Sequence, residues 1–321
     1  MARPARAKTI LLSRSRQVRS CFCTAQLWRR LGVFAAFAAI PTFALSAANA
    51  LPEATFDSTD RFPFVVELKF QDQLICSGTV LYPRLIITAA HCLQQKVSWR
   101  GSSFYVDDYI DASALQISLV RDGTAVSYEV LEVFVSPDWR DTTSAGTPNE
   151  RLAHDVAVVV TKQPVDVDLP PDLPLGKTFD VRNAPSLNGL LVAFGVGSCA
   201  PYGPCENAGI RRYRAVTIEQ ESDCGLTPLG NSHSGQYSAG SDTALVSAVW
   251  CLDASVMPGD SGGALLVEGE RGQLYFCGVI SAQRGPPEIA VLSPFKQSLA
   301  TMLSTNQSFI ATEARRLGYA P

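Results

Sequence analysis

Leu85-Ile86-Ile87-Thr88-Ala89-Ala90-His91-Cys92 is a β-branched apolar run that gives way to small residues and stops at a histidine and a cysteine. A run of this length and composition reads as a buried strand, and the Ala-Ala pair as the turn that ends it. His91 is one of only three histidines, with His154 and His233. An imidazole held by a buried strand yet facing the surface is placed as a general base must be. A core or loop histidine is the competing reading for this residue taken alone.

Working outward, similar short runs recur along the chain: Phe64–Phe70, Thr79–Leu81, Val126–Val135, Val156–Thr161, Leu190–Phe194, Arg214–Ile218, Ala264–Val267, Tyr275–Ile280 and Ile289–Leu292. Gly, Pro, Asp and Asn clusters separate them, which predicts an all-β barrel or sandwich. Helical periodicity is nearly absent until Phe295–Leu303, expected as a closing helix, and the tail Thr305–Pro321 reads only as an exposed extension. The Pro-rich stretch Asp168–Gly176 divides the strands into two sets. No repeat at a solenoid period is present.

The chain has 321 residues, 27 Lys+Arg and 30 Asp+Glu. Residues 1–50 hold eight basic side chains and no acid, so 51–321 carry 19 basic against 30 acidic residues, a formal −11. So acidic a body repels phosphate backbones and argues against a nucleic-acid partner. After Arg29-Arg30, Leu31–Leu45 is uncharged and apolar, and Ala48-Asn49-Ala50 supplies an A-x-A cleavage site. Fifteen residues broken by Pro41 fall short of the ~20 that a span needs. Residues 1–50 are therefore predicted to be a cleaved signal peptide. The mature chain would start at Leu51, in a secreted or periplasmic compartment, with no stable membrane association after cleavage.

In an oxidising compartment the seven cysteines beyond the leader should mostly pair. Seven is odd, so at least one thiol stays free or bonds to another chain. Neither C-x-x-C nor H-x-x-x-H spacing occurs, so zinc is a poor reading, and the sequence calls for no metal and no cofactor.

Pro258-Gly259-Asp260-Ser261-Gly262-Gly263 sets a serine on a tight turn ahead of the apolar Ala264-Leu265-Leu266-Val267. Such a turn presents the hydroxyl unobstructed, and the N–H groups of Gly259 and Ser261 are candidates to bind a developing oxyanion. Mere turn chemistry is the alternative. The G-x-S-x-G spacing also matches a nucleophile elbow, but there the base histidine follows the serine, and here all three histidines precede Ser261. Asp155 heads Val156-Ala157-Val158-Val159-Val160. A carboxylate beside so apolar a run normally needs a hydrogen-bond partner, which makes it the candidate to orient the base. The order His91, Asp155, Ser261 is one of the known convergent triad orders.

On these motifs the chain resembles the trypsin-like (chymotrypsin-fold) serine endopeptidases over roughly Phe62 to Leu303. Ile87-Thr88-Ala89-Ala90-His91-Cys92, His154-Asp155-Val156-Ala157-Val158 and Gly259-Asp260-Ser261-Gly262-Gly263 carry the resemblance, with Cys76-Ser77-Gly78-Thr79-Val80 upstream. The resemblance implies two six-stranded antiparallel β-barrels with a short C-terminal helix. The first would span about 62–165, a linker 166–182, the second about 183–293, and the helix and tail 294–321. It implies peptide-bond hydrolysis of a protein or peptide substrate through an acyl-enzyme on Ser261, with disulfides Cys76–Cys92 and Cys224–Cys251. Ser281, Ala282 and Gln283 fall on the strand that pairs with substrate, and Ser255 at the pocket floor, where an aspartate would select Arg or Lys. Asp253 and Glu288 lie near enough in sequence to restore a negative charge. Cys199 is left to pair with Cys205 or Cys277. The family's freed amino terminus would be that of Leu51, pairing with Asp260. An esterase using the same triad, or an inactive homologue serving as a binding module, are the alternatives; the retained serine and histidine speak against the second.

Overall fold

The computed structural model describes residues 54–139 (without 100–101 and 122–123), 152–170, 173, 186–195, 198–199, 205–206, 209–219, 226–228, 237–239, 249–269, 272–283 and 298–319. Strands dominate. The first six of the main framework are β1 (Val65–Phe70), β2 (Gln73–Tyr82), β3 (Leu85–Thr88), β4 (Leu115–Arg121), β5 (Thr124–Val135) and β6 (Ala157–Thr161). They close an antiparallel barrel in the order β1-β2-β3-β6-β5-β4. The second six are β7 (Ser186–Ala193), β8 (Arg212–Glu219), β9 (Val249–Leu252), β10 (Ala264–Glu268), β11 (Leu274–Gln283) and β12 (Ser298–Met302). They run β8-β7-β10-β11-β12-β9, and β9 pairs back onto β8 to close the ring. Numbered within its own half, each strand has the same two neighbours in both barrels, a repeated topology with no repeat in sequence.

Each barrel is filled from inside. Val66, Leu68, Val80, Ile86, Ile117 and Val159 pack the first, and Leu191, Val216, Ile218, Leu252, Leu265 and Ile280 the second. All are buried, as inward positions of a small closed barrel must be. The strand Thr55–Phe56 adds to the outer edge of β8, and a hairpin of Gln94–Trp99 with Ser102–Tyr109 stands apart from the barrels.

The expected all-β fold of two six-stranded barrels is present, and its C-terminal helix is in a different place. Within Phe295–Leu303, expected to be helical, Ser298–Met302 is the barrel strand β12. It is hydrogen-bonded to β11 on one side and β9 on the other, and four of its five residues are buried. Two ladders outweigh the helical propensity of Leu, Ala and Met. The second barrel thus runs past residue 293. The helix, α1, spans Gln307–Arg316 inside the expected exposed tail. It buries Ile310, Ala311 and Ala314, ends at Gly318, whose φ of +83° suits glycine, and stacks Tyr319 on Tyr82 at 4.7 Å. Asn306, which opens the Asn306-Gln307-Ser308 glycosylation pattern, is buried, its amide donating to the carbonyls of Ala153 and Met302, so it is a structural latch. Strands expected at Ile289–Leu292 lie outside the described residues.

Ile310 is fully buried under the first barrel. Ile310→Ala is expected to destabilise the protein by about 3 kcal/mol in urea unfolding. A change below ~0.5 kcal/mol would show that α1 is not an integral part of the core.

Candidate active site

Strand register brings His91 and Asp155 together. β3 and β6 pair with Thr88 opposite Ala157. His91 lies three residues beyond Thr88, in the 3₁₀ turn Ala90–Leu93, and Asp155 two residues before Ala157. Both side chains therefore leave the barrel at the same end. Asp155 is 1% exposed. Its Oδ2 accepts from His91 Nδ1 at 2.7 Å and its Oδ1 from the His91 backbone N–H at 2.9 Å. The Ser281 hydroxyl donates to the same Oδ2. A carboxylate on Nδ1 holds the proton there and leaves Nε2 as the basic nitrogen. Burial pushes the His91 pKa down, but the charge and hydrogen bond of Asp155 outweigh it, and the imidazole ends above its ordinary value of 6.5.

Ser261 reaches the same place from the second barrel, on the turn that feeds β10. Ser77 on β2 anchors this turn from the first barrel. Its N–H donates to the Ser261 carbonyl at 2.7 Å, its hydroxyl donates to the Gly259 carbonyl at 2.9 Å, and that hydroxyl accepts from the Phe194 N–H at 2.8 Å. Thr88 donates to the Ser77 carbonyl. Within 259–263, the N–H groups of Asp260, Gly262 and Gly263 bond to the carbonyls of Met257, Ile280 and Asp260. Gly262 has φ +82°, and a Cβ there would sit 2.1 Å from the Ser77 carbonyl oxygen, so no other residue fits. Asp260 is wholly buried, its carboxylate accepting from the N–H groups of Gly195 at 3.1 Å and Met257 at 2.7 Å.

His91, Gly259 and Ser261 line one open cleft of about 730 Å³, whose far wall carries Phe70, Leu74 and Ile75. Cys76 and Cys92 form the expected disulfide beside the base. Cys76, His91 and Cys92 offer ligand atoms within 4.8 Å of one another, but the disulfide leaves no thiolate for a soft ion. Cys251 is disulfide-bonded, and its expected partner Cys224 lies outside the described residues. Cys199 stands opposite Cys205 across a two-residue ladder. Cys277 is the free thiol among the described residues, and burial raises its pKa to about 12.

The other expected site residues are distributed as follows. Ser255 is buried, and its hydroxyl has no hydrogen-bond partner among the described residues. Asp253 is engaged elsewhere, its carboxylate accepting from the Thr217 N–H at 2.7 Å; Glu288 lies outside the described residues. Ser281, Ala282 and Gln283 end β11, whose register on β12 shifts between Ile280 and Ala282. The shift turns the Ser281 hydroxyl onto Asp155, a contact that sequence reading missed, as it missed the anchoring role of Ser77. In each case a serine inside a strand gives no local cue to a partner more than 100 residues away. A family model described as Trypsin matches residues 55–300.

Replacing Asp155 by Asn removes the charge and leaves the burial. By NMR, His91 is expected to titrate above 6.5 in the native protein and below it in Asp155→Asn, and an unmoved midpoint would remove Asp155 as its partner. Ser77→Ala leaves the Gly259 carbonyl and the Phe194 N–H unpaired and is expected to cost about 2 kcal/mol in urea unfolding.

Proposed function

Because the chain belongs to the trypsin family, as the match over residues 55–300 establishes, we propose that it is an exported serine endopeptidase working through His91, Asp155 and Ser261. The observation that carries this reading is the carboxylate–imidazole pair at 2.7 Å on the rim of a cleft that Ser261 also lines.

Nε2 of His91 takes the proton of the Ser261 hydroxyl as Oγ attacks the scissile carbonyl, and later returns it to the leaving amine. Asp155 keeps the ring in the required tautomer and steadies the imidazolium. The N–H groups of Gly259 and Ser261, on the turn that presents the Ser261 hydroxyl, bind the oxyanion. Water then hydrolyses the acyl-enzyme, with His91 as base once more. No cofactor enters this scheme.

Substrate is bound as an added strand. The β10 ladder on β11 ends at Ala264 opposite Val279, whereas the β12 ladder continues to Gln283 opposite Ser298. The backbone of Ser281–Gln283 thus has an edge for an extended peptide. With Ser255 at the pocket floor and Asp253 tied to Thr217, the pocket favours a neutral side chain over Arg or Lys. Residues 1–50 are the export signal in this reading, removed to give a chain of 51–321. Among the described residues no helix is long and apolar enough to cross a membrane.

A fluorophosphonate is expected to label the secreted protein and to leave Ser261→Ala unlabelled. On peptide substrates Asp155→Asn should lower kcat by roughly 10⁴. In the native protein kcat/KM should fall on acidification through the raised His91 pKa, above pH 6.5. Cleavage of simple esters with no peptide cleavage would make it an esterase, and absent labelling would make the triad a scaffold only.

A further inference from the structure

The carboxylate of Asp155 is firmly held, but its backbone is not held by a sheet. Pairing of β6 with β3 and β5 begins at Ala157, and the Asp155 N–H makes only a long 3.5 Å bond to the Leu152 carbonyl. The Val156 N–H turns back to the His154 carbonyl at 2.7 Å. The segment 152–155 therefore takes its position from the side chains that grip it.

That grip comes from the second barrel and the helix behind it. Thr301 on β12 donates its hydroxyl to the Leu152 carbonyl at 2.7 Å, and Asn306, at the head of α1, donates its amide to the Ala153 carbonyl at 2.9 Å. The Asn306 amide oxygen faces Nδ1 of His154 at 3.4 Å. Thr301 is wholly buried and Asn306 is 2% exposed. A buried hydroxyl or amide deprived of its acceptor is costly, so both bonds resist opening. Thr301 lies opposite Val279 on β11, two residues before Ser281, whose hydroxyl donates to Asp155. β11, β12 and the start of α1 thus touch the segment at the carbonyls of residues 152 and 153 and at the carboxylate of 155. A rotation of the segment about those carbonyls would carry the carboxylate away from His91 Nδ1, which it meets at 2.7 Å.

We propose that Thr301 and Asn306 are positioning residues, which grip the Leu152 and Ala153 carbonyls and so register Asp155 to the barrel that carries Ser261. Sheet pairing alone places Asp155 and His91 with the first barrel and Ser261 with the second. The grip ties both parts of the site to one frame. Its consequence for turnover rests on the protease reading, but its effect on His91 does not depend on that reading. Thr301 and Asn306 act through Asp155 and touch neither substrate nor the reacting atoms.

The test compares four variants of the full chain. Thr301→Val removes the hydroxyl and keeps the shape, Thr301→Ser keeps the hydroxyl, and Asn306→Leu removes both ends of the amide. Ile218→Val, in the core of the second barrel, is a control that lowers stability without touching the grip. On peptide substrates Thr301→Val and Asn306→Leu should each lower kcat about tenfold or more with KM within about twofold, because a displaced orienting group costs turnover and not binding. Thr301→Ser should recover most of the loss. By NMR the His91 midpoint should fall in Thr301→Val and Asn306→Leu, because the charge and hydrogen bond of Asp155 are what raise it, and the acid limb of kcat/KM should move to lower pH with it. His154, whose Nδ1 lies 3.6 Å from Asp138, is followed as a separate signal. Ile218→Val should leave kcat and the His91 midpoint unchanged. Lost stability with an unmoved midpoint and an unchanged kcat, or an equal kcat loss in Ile218→Val, would overturn the proposal and leave Thr301 and Asn306 as packing residues. If a fluorophosphonate labels no form of the chain, the protease reading fails and the His91 midpoints still decide the grip.

Discussion

One serine of the first barrel fixes the most important turn of the second. Ser77 grips the 259–261 segment at two carbonyls, 182 residues away in sequence for the Gly259 bond, and uses its own hydroxyl again to accept from Phe194. Apolar packing of Val192, Ala264, Leu266 and Val279 joins the second barrel to the core of the first without fixing their register, and this directional polar contact sets it where Ser261 meets the His91 side of the cleft. Gly262 is the other half of the constraint: the Ser77 carbonyl occupies the space that any side chain would need. The close approach and the missing Cβ are one feature.

Asp155 and His91 are fixed differently, by β-sheet register within a single barrel. Thr88 and Ala157 face each other across β3 and β6, so the residues that follow one strand and precede the other emerge side by side. Asp155 is held by three donors, and only one of them is the imidazole. The backbone N–H of His91 and the hydroxyl of Ser281 aim the carboxylate at the ring, and its charge and hydrogen bond raise the basicity of the half-buried imidazole.

Much of this was legible in the sequence, for identifiable reasons. The strands with β-branched runs, the triad motifs and the Cys76–Cys92 bridge are local patterns whose meaning does not depend on the remainder of the chain. What sequence reading missed depends on tertiary partners. Ser298–Met302 has helical composition, yet two neighbours claim its backbone. α1 was passed over because only Ile310, Ala311 and Ala314 mark its buried face and small residues make a weak stripe. Ser77 and Ser281 occupy strand positions where nothing nearby in sequence indicates a carbonyl acceptor or a carboxylate. A polar residue in a strand is ambiguous until the opposite barrel is known.

The placement of β12 and Asn306 bears on the order of events during biosynthesis. The second barrel lacks a wall until residues 298–302 have been made, and the segment leading into Asp155 is unlatched until Asn306 bonds to Ala153. A chain emerging from its amino end thus carries His91, Asp155 and Ser261 before it can bring them into register. Register is complete only once residues 298–306 have been added, so the site is the last part of the molecule to take its shape.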